Sequence, residues 1–156
     1  MPNLPRLCLA ALVCAACSGG PRSDAARMQA LVAPHLDAFA EFDRWARRLS
    51  LADAAFRSDE ALEEAAFAPL RGDGRVAAAW LVREGVDPRT FAHPRGAPAP
   101  PEDGWTRIRA DPLGELDARE AALPIRGRER PCLLVRRSRP APGGATLHVI
   151  VAFARE

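Results

Sequence analysis

The stretch that decides the fold is Thr146-Leu147-His148-Val149-Ile150-Val151-Ala152-Phe153, close to the end of the 156-residue chain. It is rich in β-branched residues and lacks Gly and Pro, which is typical of a strand. Alternate residues of a strand point to the same face, and the apolar set that we predict to be core is Leu147, Val149, Val151 and Phe153. The opposite face is half polar, which predicts either the floor of a pocket or a semi-exposed surface.

A second strand is predicted just upstream, over 130–139. Pro140-Ala141-Pro142-Gly143-Gly144 separates the two runs as a turn, so together they predict an antiparallel hairpin. Further strands are predicted over 75–83, 105–109 and 123–126, although the alanines of the first run also permit a helix. Between them, Glu115 to Ala122 predicts a short helix. Asp87-Pro88 and the proline-dense stretch 93–101 predict a loop after the first of these strands, with extended backbone over the prolines.

The part of the chain that precedes these strands has the pattern of a helix. From Ser23 onward the large apolar residues recur at steps of three and four, which places one stripe along a helix. These residues are Met28, Leu31, Val32, Leu36, Phe39, Phe42, Trp45 and Leu49. Pro34 lacks the N–H that a helix needs, so we expect either a kink or two helical pieces there. Short helices are predicted between Ser50 and Leu70. The stripe predicts a packing face, and homodimerisation or another protein contact through 23–49 is the alternative.

Helices over 23–70 followed by strands over 75–156 predict a single α+β domain. This order resembles PAS-like extracytoplasmic sensor domains of the Cache type over roughly 23–156. The resemblance is topological and no diagnostic motif carries it. It implies a long N-terminal helix and short helices packed on a curved antiparallel sheet that holds a small ligand on one face.

The first residues have the pattern of a bacterial export signal. Arg6 precedes an apolar run, 7–16, that is too short to cross a bilayer and has the length of a signal-peptide core. Cys14-Ala15-Ala16-Cys17 then resembles a lipobox, although Cys14 stands where that family usually has Leu. The resemblance implies that 1–16 are removed and that Cys17 carries the lipid; ordinary secretory cleavage is the alternative. Residues 17–22 are then the lipidated cysteine and a flexible tether.

Lipidation implies attachment to the bacterial cell envelope, because two or three acyl chains hold a protein on a membrane stably. The residue after the cysteine is Ser18. In lipoproteins of this kind an Asp at that position favours the inner membrane. The resemblance therefore favours the periplasmic face of the outer membrane. The formal net charge of +2 is too small to predict a nucleic-acid partner.

The cysteines do not predict a disulfide framework. Of the four, two lie in the predicted signal peptide and the lipobox resemblance implies that Cys17 is acylated, so Cys132 alone remains. It lies in Pro131-Cys132-Leu133-Leu134-Val135, where a free cysteine behaves as a small buried apolar residue.

No pattern in the chain predicts catalysis, a metal or a cofactor. The three histidines are about 55 residues apart and none has a partner at metal-ligand spacing. The chain has no Lys, which excludes Schiff-base and P-loop chemistry, and no Gly-x-Ser-x-Gly motif occurs. We therefore expect a non-enzymatic protein.

The candidate ligand pocket is drawn from residues of the sheet and its loops: Trp80, Trp105, His148, His93 and Arg136. A set of arginines in the later strands predicts either an anion-binding face or a charged sheet edge, and its members are Arg126, Arg128, Arg130, Arg136, Arg137 and Arg139. We expect a membrane-anchored envelope lipoprotein that binds a small ligand as a sensor-like module. The alternative is a structural or assembly accessory that acts through its amphipathic helix.

Overall fold

The computed structural model describes residues 21–51, 67–85 and 88–156. Within these ranges two helices come first, α1 (Pro21–Val32) and α2 (Leu36–Leu51), joined by a 3₁₀ turn over Ala33–His35. Pro34 lies inside that turn, and its ring leaves no N–H for the helix ladder. The helical region is therefore two helices rather than one continuous helix. Single 3₁₀ turns also occur at Ala68–Leu70 and Pro142–Gly144.

The remainder of the described chain is dominated by one antiparallel sheet. Its strands are β1 (Val76–Glu84), β2 (Arg89–His93), β3 (Thr106–Ala110), β4 (Gly114–Ile125), β5 (Arg128–Ala141) and β6 (Ala145–Ala154). Their order across the sheet is β2-β1-β6-β5-β4-β3, so β2 and β3 are the edges. Every neighbouring pair is antiparallel. The predicted α+β class, with helical structure packed on an antiparallel sheet, is confirmed.

The helices cover one face of this sheet. The buried helical residues on that side are Met28, Val32, Ala38, Phe39, Phe42 and Ala46. They form one cluster with inward residues of the central strands, which include Leu133 and Val135 of β5 and the predicted core set of β6. The prediction that Leu147, Val149, Val151 and Phe153 form core is confirmed, because each is nearly inaccessible to solvent. Most of the predicted helical stripe is therefore packed against the sheet.

The opposite face of the sheet has a second, smaller core, which we call the outer core. Its buried members are Ala78, Trp80, Leu123, Ile125, Cys132, Leu134, Ile150 and Ala152. Ala97 of the proline-dense segment 93–101 and Trp105, which follows that segment, pack against this cluster. The proline-dense segment accordingly covers apolar surface that would otherwise face water.

Two secondary-structure predictions are wrong. Glu115 to Ala122 is part of the long strand β4, not a short helix. Its residues pair with β3 on one side and β5 on the other, and this pairing outweighs the helix propensity of its Glu, Ala and Leu residues. The second error is β2, which lies in a stretch predicted as a loop and pairs with the outer edge of β1.

The predicted signal peptide 1–16, Cys17 and the first part of the 17–22 tether lie outside the described residues, and so does most of the region of predicted short helices, 52–66. Pro21 and Arg22, which we expected in the tether, already belong to α1. Neither α1 nor α2 combines the length and the apolar character that crossing a membrane requires.

Candidate functional site

A cleft of about 560 Å³ opens at one end of the sheet. Two walls come from the tip of the β4–β5 hairpin and from the turn that precedes β1, and His93–Pro94 at the end of β2 adds a third. The described lining residues are Leu70, Arg71, Gly72, Asp73, Gly74, Val76, Ala77, His93, Pro94, Ile125, Arg126, Arg128 and Arg130.

The hairpin wall is cationic. A two-residue turn, Arg126-Gly127, joins β4 to β5, and both residues have positive φ, as primed hairpin turns require. Arg128 and Arg130 follow on β5 at alternate positions, so both side chains lie on one face of that strand. None of the three guanidinium groups forms an ion pair with any residue that the structure describes.

The turn before β1 contributes Arg71 and Asp73. The Asp73 carboxylate is already engaged, because the Arg75 guanidinium donates to both of its oxygens at 2.8 and 3.0 Å. These hydrogen bonds hold the pKa of Asp73 below its usual range. Asp73 therefore stays ionised and paired, and it does not neutralise the arginines of the hairpin wall.

His93 lies on the third wall, where its ring stacks on Phe67 at 5.6 Å between centroids. Apolar side chains, among them Leu70, Val76 and Ile125, complete the lining. Guanidinium groups bind carboxylates and phosphates through paired N–H donors, so a cleft with this lining suits an anionic group next to a small apolar portion.

The other predicted pocket residues lie elsewhere and are not brought together into one cavity. Trp80 is fully buried in the outer core, where its indole N–H donates to the Pro98 carbonyl at 3.0 Å. Trp105 is half-buried and donates to the Pro101 carbonyl at 3.1 Å. Arg136 lies 4.3 Å above the Trp105 ring. The indole groups therefore anchor the proline-dense segment instead of lining an open pocket.

The Arg136 guanidinium also donates to Asp117 Oδ2 at 2.9 and 3.2 Å. Arg137 and Arg139 point to the opposite face of the sheet, where both contact the buried carboxylate of Asp43 on α2. Burial lowers the pKa of both guanidinium groups. The interpretation of the arginine set as a charged sheet edge is wrong for these residues, because β5 is an interior strand.

His148 lies on the outer face at the end of the sheet remote from the cleft. Its Nδ1 is 2.6 Å from Ser138 Oγ, and its Nε2 is 3.1 Å from Glu84 Oε2. Sequence analysis singled out His148 but neither of its partners. Glu84 comes from a distant position in the chain, whereas Ser138 lies ten residues before His148 on the other strand of the predicted hairpin. Nothing in the local pattern around them indicates that the three strands meet there.

Cys132 is buried, as predicted, and burial raises the pKa of its thiol, which disfavours the reactive thiolate. Over 21–51, 67–85 and 88–156, no three His, Cys, Asp or Glu side chains are grouped closely enough to hold a metal ion. In comparisons with known protein families, with curated proteins and with solved structures, nothing matches this chain.

Proposed function

We propose that this chain is a lipid-anchored protein of the bacterial envelope whose α+β domain binds a small anionic ligand in the cleft at the end of the sheet. The observation that carries the proposal is the hairpin wall, where Arg126, Arg128 and Arg130 converge on a cleft of about 560 Å³ without ion-pair partners among the described residues.

The pairing of the remaining charges supports this interpretation. Elsewhere in the described chain the arginines of β5 and their neighbours are matched: Arg136 with Asp117, and Arg137 and Arg139 with Asp43. Three like charges held together without an ion-pair partner in the part of the chain that the structure describes repel one another, and an anion between them relieves that repulsion. The cleft is therefore the part of the sheet where added negative charge is most favourable.

The cleft also limits the kind of ligand. Its volume suits a small molecule rather than a polymer, and its guanidinium groups favour carboxylate or phosphate over a neutral polar group. Leu70, Val76 and Ile125 add apolar contact beside the charged wall. We propose a ligand that carries two or more negative charges and a short apolar or neutral portion.

The proposed location in the cell envelope is supported by the lipobox-like Cys14-Ala15-Ala16-Cys17 and by the apolar run before it. The sensor-like role is supported by the resemblance to PAS and Cache domains, in which helices precede an antiparallel sheet. One feature departs from that resemblance. The helices cover one face of this sheet and the proline-dense segment covers the outer core on the other, so we place the ligand at the end of the sheet.

The alternative is an assembly accessory that contacts a protein partner or a second copy through the helical region 23–49. Most of that stripe packs inside this domain, and Leu31, Leu36 and Trp45 remain only partly buried. We therefore rank this alternative second.

Isothermal titration of the full-length protein in detergent tests the binding proposal. The probes are acetate, citrate, inorganic phosphate and tripolyphosphate. We expect the multiply charged probes to bind and acetate not to bind, with affinity falling as salt rises. Each Arg→Gln substitution at 126 or 128 removes one charge-assisted contact, so we expect affinity to fall about tenfold per substitution.

Arg109→Gln is the matched control. It makes the same charge change on β3, where Arg109 is 78% exposed and pairs with Asp111, outside the cleft. Equal losses in Arg109→Gln and Arg126→Gln mean that net charge, and not the cleft, attracts the anion. That result, or no binding by any multiply charged probe, would falsify the cleft proposal and favour the accessory.

Metabolic labelling with palmitate in the presence and absence of globomycin tests the anchor separately. We expect the wild-type chain to incorporate label and Cys17→Ser to incorporate none. Label that persists in Cys17→Ser, or a mature wild-type chain with an unmodified N-terminus, rejects lipid anchoring while leaving the cleft proposal open.

A further inference from the structure

A hydroxyl, an imidazole and a carboxylate lie next to one another on the outer face of the sheet, at the end remote from the cleft. Ser138 is directly opposite His148 across the β5–β6 ladder, so the two side chains share a face. On the other side, His148 is opposite Val82 of β1, and Glu84 is two residues further on, which makes it a diagonal neighbour. Strand register alone therefore places these three residues next to one another.

The contacts run in the order hydroxyl, imidazole, carboxylate. The hydroxyl faces Nδ1 and the carboxylate faces Nε2, which exchanges the two ring nitrogens relative to the Ser-His-Asp triad, and either nitrogen of a neutral imidazole can act as the base. Ser138 Oγ is 2.6 Å from His148 Nδ1, within the distance of a strong hydrogen bond. On the far side of the ring, His148 Nε2 is 3.1 Å from Glu84 Oε2. The carboxylate lies off the direction of the N–H bond, so this contact is an electrostatic one and not an aligned hydrogen bond. Glu84 is 67% exposed, which leaves its side chain free to rotate into line.

Burial distinguishes the three groups. Ser138 is exposed, whereas the His148 side chain is 15% exposed and its Nε2 is inaccessible to solvent. The carboxylate next to Nε2 favours the tautomer that has its proton there. That tautomer leaves Nδ1 free to accept the Ser138 proton. An accessible hydroxyl backed by a sheltered base is the arrangement that activates a serine.

The backbone around Ser138 adds a donor for developing negative charge. The ladder between β4 and β5 ends at the pair Asp117–Arg136, whereas β5 continues to pair with β6 as far as Ala141. Successive residues of a strand direct their N–H groups to opposite sides. Beside the hydroxyl, therefore, a backbone N–H faces the side without a paired strand. According to the phase of the alternation, it belongs either to Ser138 or to each of its two chain neighbours.

From this geometry we infer that Ser138, His148 and Glu84 form a site that takes up acyl groups from small, solvent-accessible carboxylic esters. The Ser138 O–H bond breaks, its proton passes to His148 Nδ1, and the oxygen bonds to the carbonyl carbon. The bond from that carbon to the alcohol oxygen then breaks, and this oxygen takes the proton from Nδ1. Water repeats the sequence on the acylated serine, which releases the carboxylic acid and restores Ser138.

Ser138 and His148 are the catalytic residues of this site, and Glu84 is a positioning residue that acts through His148. The site stands apart from the anion cleft, at the other end of the sheet. A failed test of either one leaves the other untouched. If the inference holds, the expectation of a non-enzymatic protein is replaced.

A fluorophosphonate probe tests the inference on the full-length protein. Attack by Ser138 on phosphorus displaces fluoride, and the adduct is located by mass spectrometry of the peptide that contains Ser138. We expect labelling at Ser138 in the wild-type chain and none at that peptide in Ser138→Ala. Because a general base contributes about 100-fold or more, we expect His148→Asn to slow labelling by that factor.

Glu84 is tested by a pair of variants. We expect Glu84→Gln to lower the maximal labelling rate without changing the probe concentration that gives half of it, and Glu84→Asp to recover part of the loss. Thr146→Val is the matched control, because Thr146 is opposite Glu84 in the β1–β6 ladder and has the nearest comparable hydroxyl on that strand. Its labelling rate should equal that of the wild type.

The wild-type measurement needs no variant to fold, so the inference can be overturned directly. Absence of an adduct on Ser138 after prolonged incubation rejects it. So does an adduct that forms equally fast in a His148→Asn protein that melts at the wild-type temperature, because the hydroxyl then reacts without the imidazole.

Discussion

Arg126 has a backbone conformation that L-residues rarely adopt, with φ at 50°. The left-handed region costs a residue with a Cβ about 1–2 kcal/mol, and Asn tolerates it better than most. A primed hairpin turn of this kind ordinarily has Asn-Gly or Gly-Gly at its two central positions. Arg126 thus sits at a conformationally unfavourable position on the cationic wall of the cleft, which is consistent with a functional role for its side chain.

Replacing Arg126 by Asn should therefore move stability and binding in opposite directions. We expect Arg126→Asn to raise the free energy of unfolding by about 1 kcal/mol because the left-handed strain is relieved. Anion binding should weaken at the same time. Urea denaturation and titration with tripolyphosphate measure the two effects. Arg128→Asn, in the adjoining strand, should weaken binding without any gain in stability, and a destabilised Arg126→Asn contradicts this account of the turn.

Single positions differ in how far the sequence could predict them. Cys132 was predictable as core, because subtracting the predicted leader and the predicted lipidated residue leaves it without a partner inside an apolar run. His93 was predicted as a loop residue, but it is the last residue of β2 and lines the proposed cleft from there. The contacts of Ser138 and Asp43 were not predictable, because the partner of each residue is at least ten positions away and lies in another element.

Helix α2 is joined to the sheet by a buried charge cluster as well as by apolar packing. Asp43 is 2% exposed and contacts Arg137 and Arg139 of β5, while Arg47 of its own helix approaches it at 3.8 Å. Removing one partner of a buried ion pair leaves the other without compensation. This cluster therefore determines where along β5 the helix packs.

We expect Asp43→Ala to lower the free energy of unfolding by about 3 kcal/mol or more, because two partly buried guanidinium groups lose their counter-charge. Glu41→Ala is the matched control. It removes the same charge from an exposed position two residues earlier on α2 and should have little effect. If the two substitutions lower the free energy of unfolding equally in urea denaturation, the buried cluster contributes no more to stability than an exposed charge does.

The proline-dense segment is held to the outer core by two indole N–H groups. Trp80→Phe removes the donor to the Pro98 carbonyl, so we expect a loss of about 1–3 kcal/mol in the free energy of unfolding. Trypsin should also cleave faster after Arg95. Trp105→Phe, at a half-buried position, should cost less on both measures. Unchanged proteolysis in Trp80→Phe means that other contacts hold the segment in place.

Elements with a strict pattern were predictable, and those determined by their neighbours were not. β6 and the hairpin that it makes with β5 follow from alternation and a Pro/Gly turn. Glu115 to Ala122 has good helix formers and was predicted as a helix, yet it lies between two strands that both pair with it. Hydrogen bonding to partners on both sides outweighs a propensity difference of a few tenths of a kcal/mol per residue.

At the scale of the whole molecule, the pH dependence of stability involves a histidine at the junction between the helices and the sheet. His35 stacks on Phe153 with centroids 4.4 Å apart, and its Nδ1 is buried without a hydrogen-bond partner. Burial, and then the charge of Arg75, lower the pKa of His35 below 6.5, against the opposing effects of Asp37 and Asp73. The folded chain thus binds this proton less readily than the unfolded chain.

Stability should consequently fall as the pH drops through about 6.5 and below, because protonation of His35 favours the unfolded state. The pKa values of Asp37 and Asp73 are lowered from 3.8, so their contributions are lost only at more acidic pH. We expect the wild-type melting temperature to be lower near pH 5.5 than near pH 7.5, and His35→Phe to show a smaller difference. An identical pH dependence in both proteins assigns the effect to another group.

The sequence by itself determined the α+β class, the β5–β6 hairpin, the core face of the last strand and the burial of Cys132. It also contains the whole basis for the proposed lipid anchor. These properties depend on local periodicity, turn residues and short motifs, which act over fewer than about twenty residues.

The tertiary structure alone decided the order of the strands, the cover over the outer face, the pairing of Asp43 with two arginines and the meeting of Ser138 with His148 and Glu84. Each depends on strand register and on which elements become neighbours. Register and neighbours result from many long-range contacts that must be satisfied together in one packing arrangement. No local pattern of residues predicts that arrangement.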